Sequence, residues 1–192
     1  MLVAWQGEGR RVPVILITGI QAAGKSSVAQ AMAERLDLSV HLRGDIFRRM
    51  IVNGRANMGP ADPPPEAVRQ LRLRYRLAAD AADAYAGAGF TVLLQDVVLG
   101  AYLTEMTEMI RTRPLYVVVL APRPAVVAER EVARRLARGK TAYKAGDEGP
   151  AELDAHLRRE TPPVGLWLDT SEQTLEQTVE ELLARVWTEA KV

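Results

Sequence analysis

The stretch Gly19-Ile20-Gln21-Ala22-Ala23-Gly24-Lys25-Ser26 matches the phosphate-binding loop pattern G-x-x-x-x-G-K-[ST] at every fixed position. The flanking residues fit the same interpretation. Residues 12–18 form a short apolar run typical of a buried strand, and an apolar helical period begins at Ser26. Such a strand delivers the loop, and the N-terminus of the helix faces the bound anion. The stretch therefore predicts a site for nucleotide phosphates.

The residue types of this loop predict how it would hold a nucleotide. Backbone N–H groups of the loop and of the first helical turn bind phosphate oxygens. We expect the Lys25 ammonium to reach the β- and γ-phosphates and to act in catalysis, and the Ser26 hydroxyl to bind the metal. The predicted cofactors are ATP and Mg²⁺, and the predicted nucleotide-binding residues are Gly19, Gln21, Ala22, Ala23, Gly24, Lys25, Ser26 and Ser27.

The composition limits the other possibilities. The chain has 192 residues, of which 48% are apolar, enough for one well-buried α/β domain over residues 1–192. Its 25 Lys and Arg balance 24 Asp and Glu, which argues against nucleic acid as a partner. There is no cysteine, so disulfides and thiolate chemistry are excluded. No signal-peptide layout or membrane-length apolar run is present, so we expect a cytoplasmic protein with no membrane partner. The sequence carries no signal for the oligomeric state.

Apolar strand-like runs alternate with helical periods along the whole chain. This alternation predicts a five-stranded parallel sheet with helices on both faces. The pattern G-x-G-x-x-G is absent, which favours a P-loop fold over a dinucleotide-binding one. The short chain and the Arg-rich segment after the fourth strand are the layout of small P-loop kinases. We expect the second strand to lie beside the first. The predicted strands cover residues 12–18, 38–42, 90–95, 115–120 and 164–169, and the predicted helices cover residues 25–37, 66–88, 101–113, 125–138 and 150–160, with a last helix capped by Thr174.

Two aspartates follow predicted strands at the edge where open α/β sheets bind ligands. Asp45 follows the second strand and Gly44, and it suits either a helix cap or a site residue, or both. Asp96 follows the third strand, where the second motif of nucleotide-binding proteins places an Mg²⁺-holding acid; a structural cap is the alternative. Which aspartate is the base and which holds metal stays open. We predict Asp45, Arg48, Arg49 and Asp96 as substrate-binding residues, and Ser26 and Asp96 as metal ligands.

Two further segments predict the walls of the site. Residues 123–150 carry Arg130, Arg134 and Arg138 at intervals of four, consistent either with a salt-bridged surface or with a lid that clamps the transferring phosphate. Residues 53–77 combine a Pro-rich and Gly-rich loop with a helix start, and they predict an acceptor-side cap or a passive connector. Arg69, Arg72 and Arg76 on that helix form either a solvated face or a wall of the acceptor pocket.

The chain resembles the chloramphenicol phosphotransferase-like group of P-loop kinases in four blocks, residues 19–27, 43–49, 95–100 and 168–171. The resemblance implies an ATP-dependent kinase that acts on a hydroxyl of a small molecule such as an antibiotic. It implies that Asp45 is the base on that hydroxyl, and that Lys25 and arginines within residues 123–138 act beside it. Of these arginines, we assign Arg130 and Arg134 as catalytic and Arg138 as nucleotide-binding. Thr170 and Ser171 would border the adenine. The pattern Asp-x-Phe-Arg after strand two is also similar to zeta-toxin-like nucleotide-sugar kinases, and a non-catalytic ATP-binding switch is a further alternative.

Overall fold

The computed structural model describes residues 12–58, 63–138 and 149–192, apart from the side chains of residues 134, 135, 137 and 138. Within these ranges no helix has the length and apolarity needed to cross a bilayer. The elements in chain order are β1 (Val14–Thr18), α1 (Lys25–Ala33), β2 (Ser39–Arg43), α2 (Asp45–Arg49), α3 (Pro65–Gly87), β3 (Thr91–Gln95), α4 (Tyr102–Met109), β4 (Leu115–Leu120), α5 (Pro124–Arg138), α6 (Pro150–Glu160), β5 (Leu166–Leu168) and α7 (Leu175–Glu189).

All five strands join one parallel sheet in the order β2-β3-β1-β4-β5. The predicted α/β P-loop kinase fold is therefore confirmed. The expectation that β2 lies beside β1 is wrong, because β3 pairs with both of them and separates them. The hydrophobic pattern of a strand indicates how far it is buried but not which strand lies beside it. Strands β1, β3 and β4 are all buried along their whole length, while β2 is half-buried at the sheet edge.

The core lies on both faces of the central strands. The apolar side chains of β1, β3 and β4 are buried, as parallel strands covered on both faces require. Helix α1 packs against β3 and α7, while α3 packs against α4 and β2. The carboxyl ends of β1, β2 and β3 meet at one edge, since Asp96 N–H donates to Ile17 O at 3.2 Å and Gly44 N–H donates to Gln95 O at 3.0 Å. That edge brings Gly19, Gly44 and Asp96 into one region.

Three predicted helix ends are wrong for reasons that the structure supplies. Helix α1 ends at Ala33, not at residue 37, because the N–H groups of Arg35 and Leu36 donate to carbonyls only three residues back, at 3.1 Å each, and so form a turn. Helix α4 ends at Met109, not at residue 113, because the Asp83 carboxylate of α3 accepts the N–H groups of Arg111 at 3.1 Å and Thr112 at 2.8 Å. These bonds pull the chain out of the helical path. Asp45 is the first residue of α2 and not its N-cap, since Gly44 holds that position and no side-chain capping bond is present.

Candidate active site

The loop between β1 and α1 has the backbone shape of an anion cradle. Gly19 has φ +139°, and a Cβ there would lie 2.3 Å from Leu120 O at the end of β4, so only glycine fits. Gly24, which precedes α1, has φ +98°. Ala22 has φ 61°, an unusual conformation for a residue with a side chain. Such strain concentrates at ligand sites, and here it turns the loop around the N-terminus of α1.

Lys25 lies inside this loop and is 7% exposed. Its Nζ donates to Gly19 O at 2.9 Å and to Ile20 O at 2.6 Å. A buried ammonium needs such partners, and phosphate oxygens are stronger acceptors than carbonyls because they are charged. Ser26 and Ser27 are exposed at the first turn of α1, where the helix leaves its N–H groups without intrahelical partners. The predicted phosphate-binding residues are therefore together in space.

Arg130 of α5 reaches the same loop. Its guanidinium donates to Thr170 O at 2.7 Å, to Thr170 Oγ1 at 3.3 Å and to Ala23 O at 3.5 Å. Burial lowers the pKa of Arg130, and the charge of Asp169 opposes that shift. The structure thus joins three predicted site residues, Arg130, Ala23 and Thr170, at one place.

The turn after β5 is fixed to the start of α5. Ser171 Oγ accepts the N–H of Arg123 at 2.8 Å and donates to the Asp169 carboxylate. The hydrogen bond from Ser171 lowers the pKa of Asp169. Arg134 and Arg138 are predicted lid residues whose side chains lie outside the described part of the structure, as do residues 139–148 of the predicted lid.

Asp45 lies at the start of α2 and is half-buried. Its Oδ2 accepts a hydrogen bond from Arg49 one turn later, and Arg43 Nε lies 3.8 Å from its Oδ1. The two cations hold this carboxylate at the carboxyl end of β2. A half-exposed carboxylate with exchangeable surface partners can turn toward an incoming hydroxyl, as a general base must.

Arg48 contacts the segment that follows α2. It donates to Ala56 O at 3.2 Å and to Asn57 Oδ1 at 2.6 Å. Gln70 of α3 holds the same segment through Ala56 N–H at 2.9 Å and Gly54 O at 2.8 Å. Sequence reasoning assigned Arg48 to substrate binding and missed Gln70. In this structure both residues order the loop of the predicted acceptor-side cap.

Sequence reasoning also missed Arg74, which is the closest partner of Asp96. Arg74 Nε donates to Asp96 Oδ2 at 2.8 Å, and its Nη2 donates to Oδ1. Oδ1 also accepts the N–H of Val97 at 2.7 Å. The Arg74 side chain is 13% exposed and that of Asp96 only 2%. Burial raises the pKa of Asp96, while Arg74 and the more distant Lys25 oppose the rise.

The remaining predicted basic face of α3 differs from Arg74. Arg72 forms an exposed pair with Glu105, with both hydrogen bonds at 3.0 Å, and Arg69 pairs with Glu66 on its own helix. Water screens exposed pairs of this kind, so they contribute little to stability. Their geometry favours the solvated-surface interpretation of Arg69 and Arg72.

The predicted metal ligands fit Mg²⁺ unequally. Ser26 is exposed at the cradle and its hydroxyl can join phosphate oxygens and water around the ion. Asp96 already directs both carboxylate oxygens at Arg74 and Val97, so it suits a water-mediated contact better than direct coordination. Within the described residues no group of three His, Asp or Glu side chains forms a protein-only metal site.

Comparison with known proteins agrees with this geometry. Residues 14–163 match the family described as an AAA domain, a range that includes the cradle, Asp45, Arg74, Asp96 and Arg130. An adenylate kinase from Thermobifida fusca (strain YX) is 29% identical over 160 residues, which cover 78% of this chain and 81% of that protein.

Two solved structures share the fold over most of their length. A sugar kinase from Janibacter sp. HTCC2649 has a TM-score of 0.64 at 19% identity, with 90% of this chain and 93% of that chain covered. A tunicamycin resistance protein from Deinococcus radiodurans has a TM-score of 0.62 at 21% identity, with 95% and 99% covered. The chain has the P-loop kinase fold and belongs to the AAA domain family.

Proposed function

We propose that this protein is an ATP-dependent kinase that transfers the γ-phosphate to a hydroxyl of a small molecule, in the manner of the chloramphenicol phosphotransferase-like group. One observation carries the proposal. Lys25 of α1 and Arg130 of α5, which are far apart in the sequence, both hydrogen-bond carbonyl groups of the loop of residues 19–24. Two cations at a phosphate cradle suit the charge that spreads over a phosphoryl group in transfer.

The proposal assigns a role in the transfer to the residues on the nucleotide side. The loop N–H groups and Lys25 bind the β- and γ-phosphates, and Lys25 exchanges its carbonyl partners for phosphate oxygens. Ser26 would hold Mg²⁺, and the ion would supply further charge neutralisation. Arg130, with Arg134 as its predicted companion on α5, stabilises the transferring group. Arg138, Thr170 and Ser171 complete the nucleotide side.

The acceptor enters from the side of α2. Asp45 accepts the proton of the attacking hydroxyl as the oxygen bonds to the γ-phosphorus and the bond to ADP breaks. Arg49 releases its hold on Asp45 to allow this contact. Positioning and electrostatics carry most of the rate in such transfers.

The names of the similar proteins suggest three acceptor classes for a first screen. They are nucleoside monophosphates, from the adenylate kinase; sugars, from the sugar kinase; and antibiotics, from the tunicamycin resistance protein.

An ADP-release screen tests the proposal. Purified protein with ATP and Mg²⁺ is mixed with each acceptor class, and Lys25→Met serves as the control because the methionine keeps the buried stem. We expect ADP release that depends on both Mg²⁺ and a hydroxylated acceptor and is absent in Lys25→Met. ATP binding without acceptor-dependent ADP release over the whole panel would instead favour a nucleotide-binding switch.

A further inference from the structure

Three segments of the chain meet at Asp96. The aspartate directly follows β3, the Arg74 side chain reaches it from α3, and Gly44 lies against it in the turn before Asp45. A Cβ on Gly44 would lie 2.1 Å from Asp96 Oδ2, so glycine is what lets the turn pack on the carboxylate. The position of the backbone that presents Asp45 is therefore tied to the position of Asp96.

The Arg74 guanidinium binds both oxygens of the Asp96 carboxylate. It meets both oxygens through two different guanidinium nitrogens, a geometry that restricts rotation as well as distance. The neighbouring Tyr75 donates its hydroxyl to Val97 O at 2.8 Å, so consecutive residues of α3 hold consecutive residues of the segment after β3. Asp45 and Lys25 lie within electrostatic range, since the charge of Asp45 acts on Arg74 and that of Lys25 acts on Asp96.

We propose that Arg74 is a positioning residue of the phosphotransfer site: it holds Asp96 against Gly44 and thereby fixes the Gly44–Asp45 turn relative to the phosphate cradle. The inference rests on the proposed function for its kinetic part and on the contact geometry for its structural part. Arg74 touches neither nucleotide nor acceptor in this role. Its loss acts through Asp96, which then lies buried without its charged partner and leaves its place beside Gly44.

The test compares Arg74→Met with Arg72→Met, a matched change on the same helix. Arg72 supplies the same kind of bidentate bond to Glu105, but its side chain is 55% exposed. The assay measures ADP release by the full chain with ATP, Mg²⁺ and either the best acceptor of the screen or water alone. The kcat of Arg74→Met should fall by about 10²-fold, the scale expected when a reacting group is misplaced by about 1 Å. The Kd for a fluorescent ATP analogue should change less than threefold, because the cradle is untouched. Arg72→Met should match the wild type in both.

Hydrogen exchange supplies a readout that does not depend on turnover. Amides of residues 43–50 should exchange faster in Arg74→Met than in the wild type or Arg72→Met, while those of residues 19–28 should not. If Arg74→Met does not fold, Arg74→Lys takes its place in the test, because lysine keeps the positive charge but cannot form two parallel hydrogen bonds to Asp96. In Arg74→Lys, kcat should fall at least fivefold and the exchange rate of the amides of residues 43–50 should rise. A folded Arg74 variant with kcat within twofold of the wild type, or with unchanged exchange over residues 43–50, overturns the inference.

Equal losses of kcat and ATP affinity would also overturn it, because they would indicate damage to the cradle itself. The failure of the proposed function has a different signature. In that case the wild type releases no ADP with any acceptor, and the exchange measurement alone decides the role of Arg74.

Discussion

Gly44→Ala tests the packing on which the arrangement at Asp96 depends. Gly44 has φ −60° and ψ −31°, which are helical values that alanine adopts without strain. Backbone preference alone would make the change stabilising by about 0.4–1 kcal/mol. The new Cβ would instead meet Asp96 Oδ2 at 2.1 Å, Cγ at 2.7 Å and Cβ at 3.1 Å.

The clash between the new Cβ and Asp96 should determine whether Gly44→Ala raises or lowers the free energy of unfolding, because Asp96 is held in place. Arg74 holds both of its oxygens and Val97 N–H holds one of them, so relief requires more than about 1 Å of displacement against these bonds. Overpacking of a fixed interior typically costs about 1–3 kcal/mol. We therefore expect the free energy of unfolding of Gly44→Ala to fall by about 1–2 kcal/mol after the backbone gain is included.

Urea denaturation measures this change, and Gly87→Ala is the matched control. A Cβ on Gly87 at the end of α3 meets no atom within 4 Å, so that variant should equal the wild type or gain up to about 1 kcal/mol. In an Asp96→Ala background the cost of Gly44→Ala should largely disappear, a coupling of about 1–2 kcal/mol. If Gly44→Ala is as stable as Gly87→Ala, the close packing of Asp96 on the turn is refuted.

Four further changes probe the site and the sheet edge. Lys25→Met should lower kcat for ADP release by about 10²-fold or more, as loss of one charge-stabilising donor does, with Tm by calorimetry as the check on folding. Asp45→Asn should lower kcat by about 10²–10⁴-fold with little change in the Kd for ATP measured by fluorescence; parallel loss of ATP binding would make Asp45 a metal ligand instead. Arg130→Lys should weaken turnover at least tenfold because lysine cannot span Thr170 and Ala23, and steady-state kinetics that match the wild type would contradict the role of this bridge. Burial and Arg43 lower the pKa of His41 against the opposing charge of Asp45, so its stabilising contribution is complete above the unfolded pKa of about 6.5 and is lost as the pH falls through the folded value. The free energy of unfolding, measured by urea titration from pH 7.5 to 5, should therefore decline less steeply in His41→Gln than in the wild type.

The sequence was sufficient for the elements whose signals are local. The phosphate loop depends on glycines at positions with positive φ and on a lysine and a serine at fixed spacing, so Gly19 to Ser26 could be interpreted without a fold. The strand Leu115–Leu120 was predicted to the residue, because a strand buried on both faces is apolar throughout. The neighbours of β2 could not be predicted, since pairing is a long-range choice that strand composition does not encode.

Arg74 was missed because four arginines occur between residues 69 and 76 and none is marked by composition alone. Helical spacing does not single it out either. Arg74 is three residues after Leu71 and four before Ala78, but Arg72 is likewise four residues after Val68 and three before Tyr75. Only the fold shows that Arg74, and not Arg72, meets the buried Asp96. Gly44 could not be assigned to the same contact, because only coordinates reveal which group occupies the space beside it.

The central claim is that the loop presents the γ-phosphate for transfer to a hydroxyl. Phosphorus NMR of the reaction mixture measures the fate of that group directly, with ATP, Mg²⁺ and the acceptor that releases most ADP. We predict that the γ signal converts to a phosphate monoester on the acceptor in step with ADP formation, and that Lys25→Met forms no ester. Conversion of the γ-phosphate to inorganic phosphate alone, or retention of intact ATP with every acceptor, would contradict the assignment of this protein as a kinase.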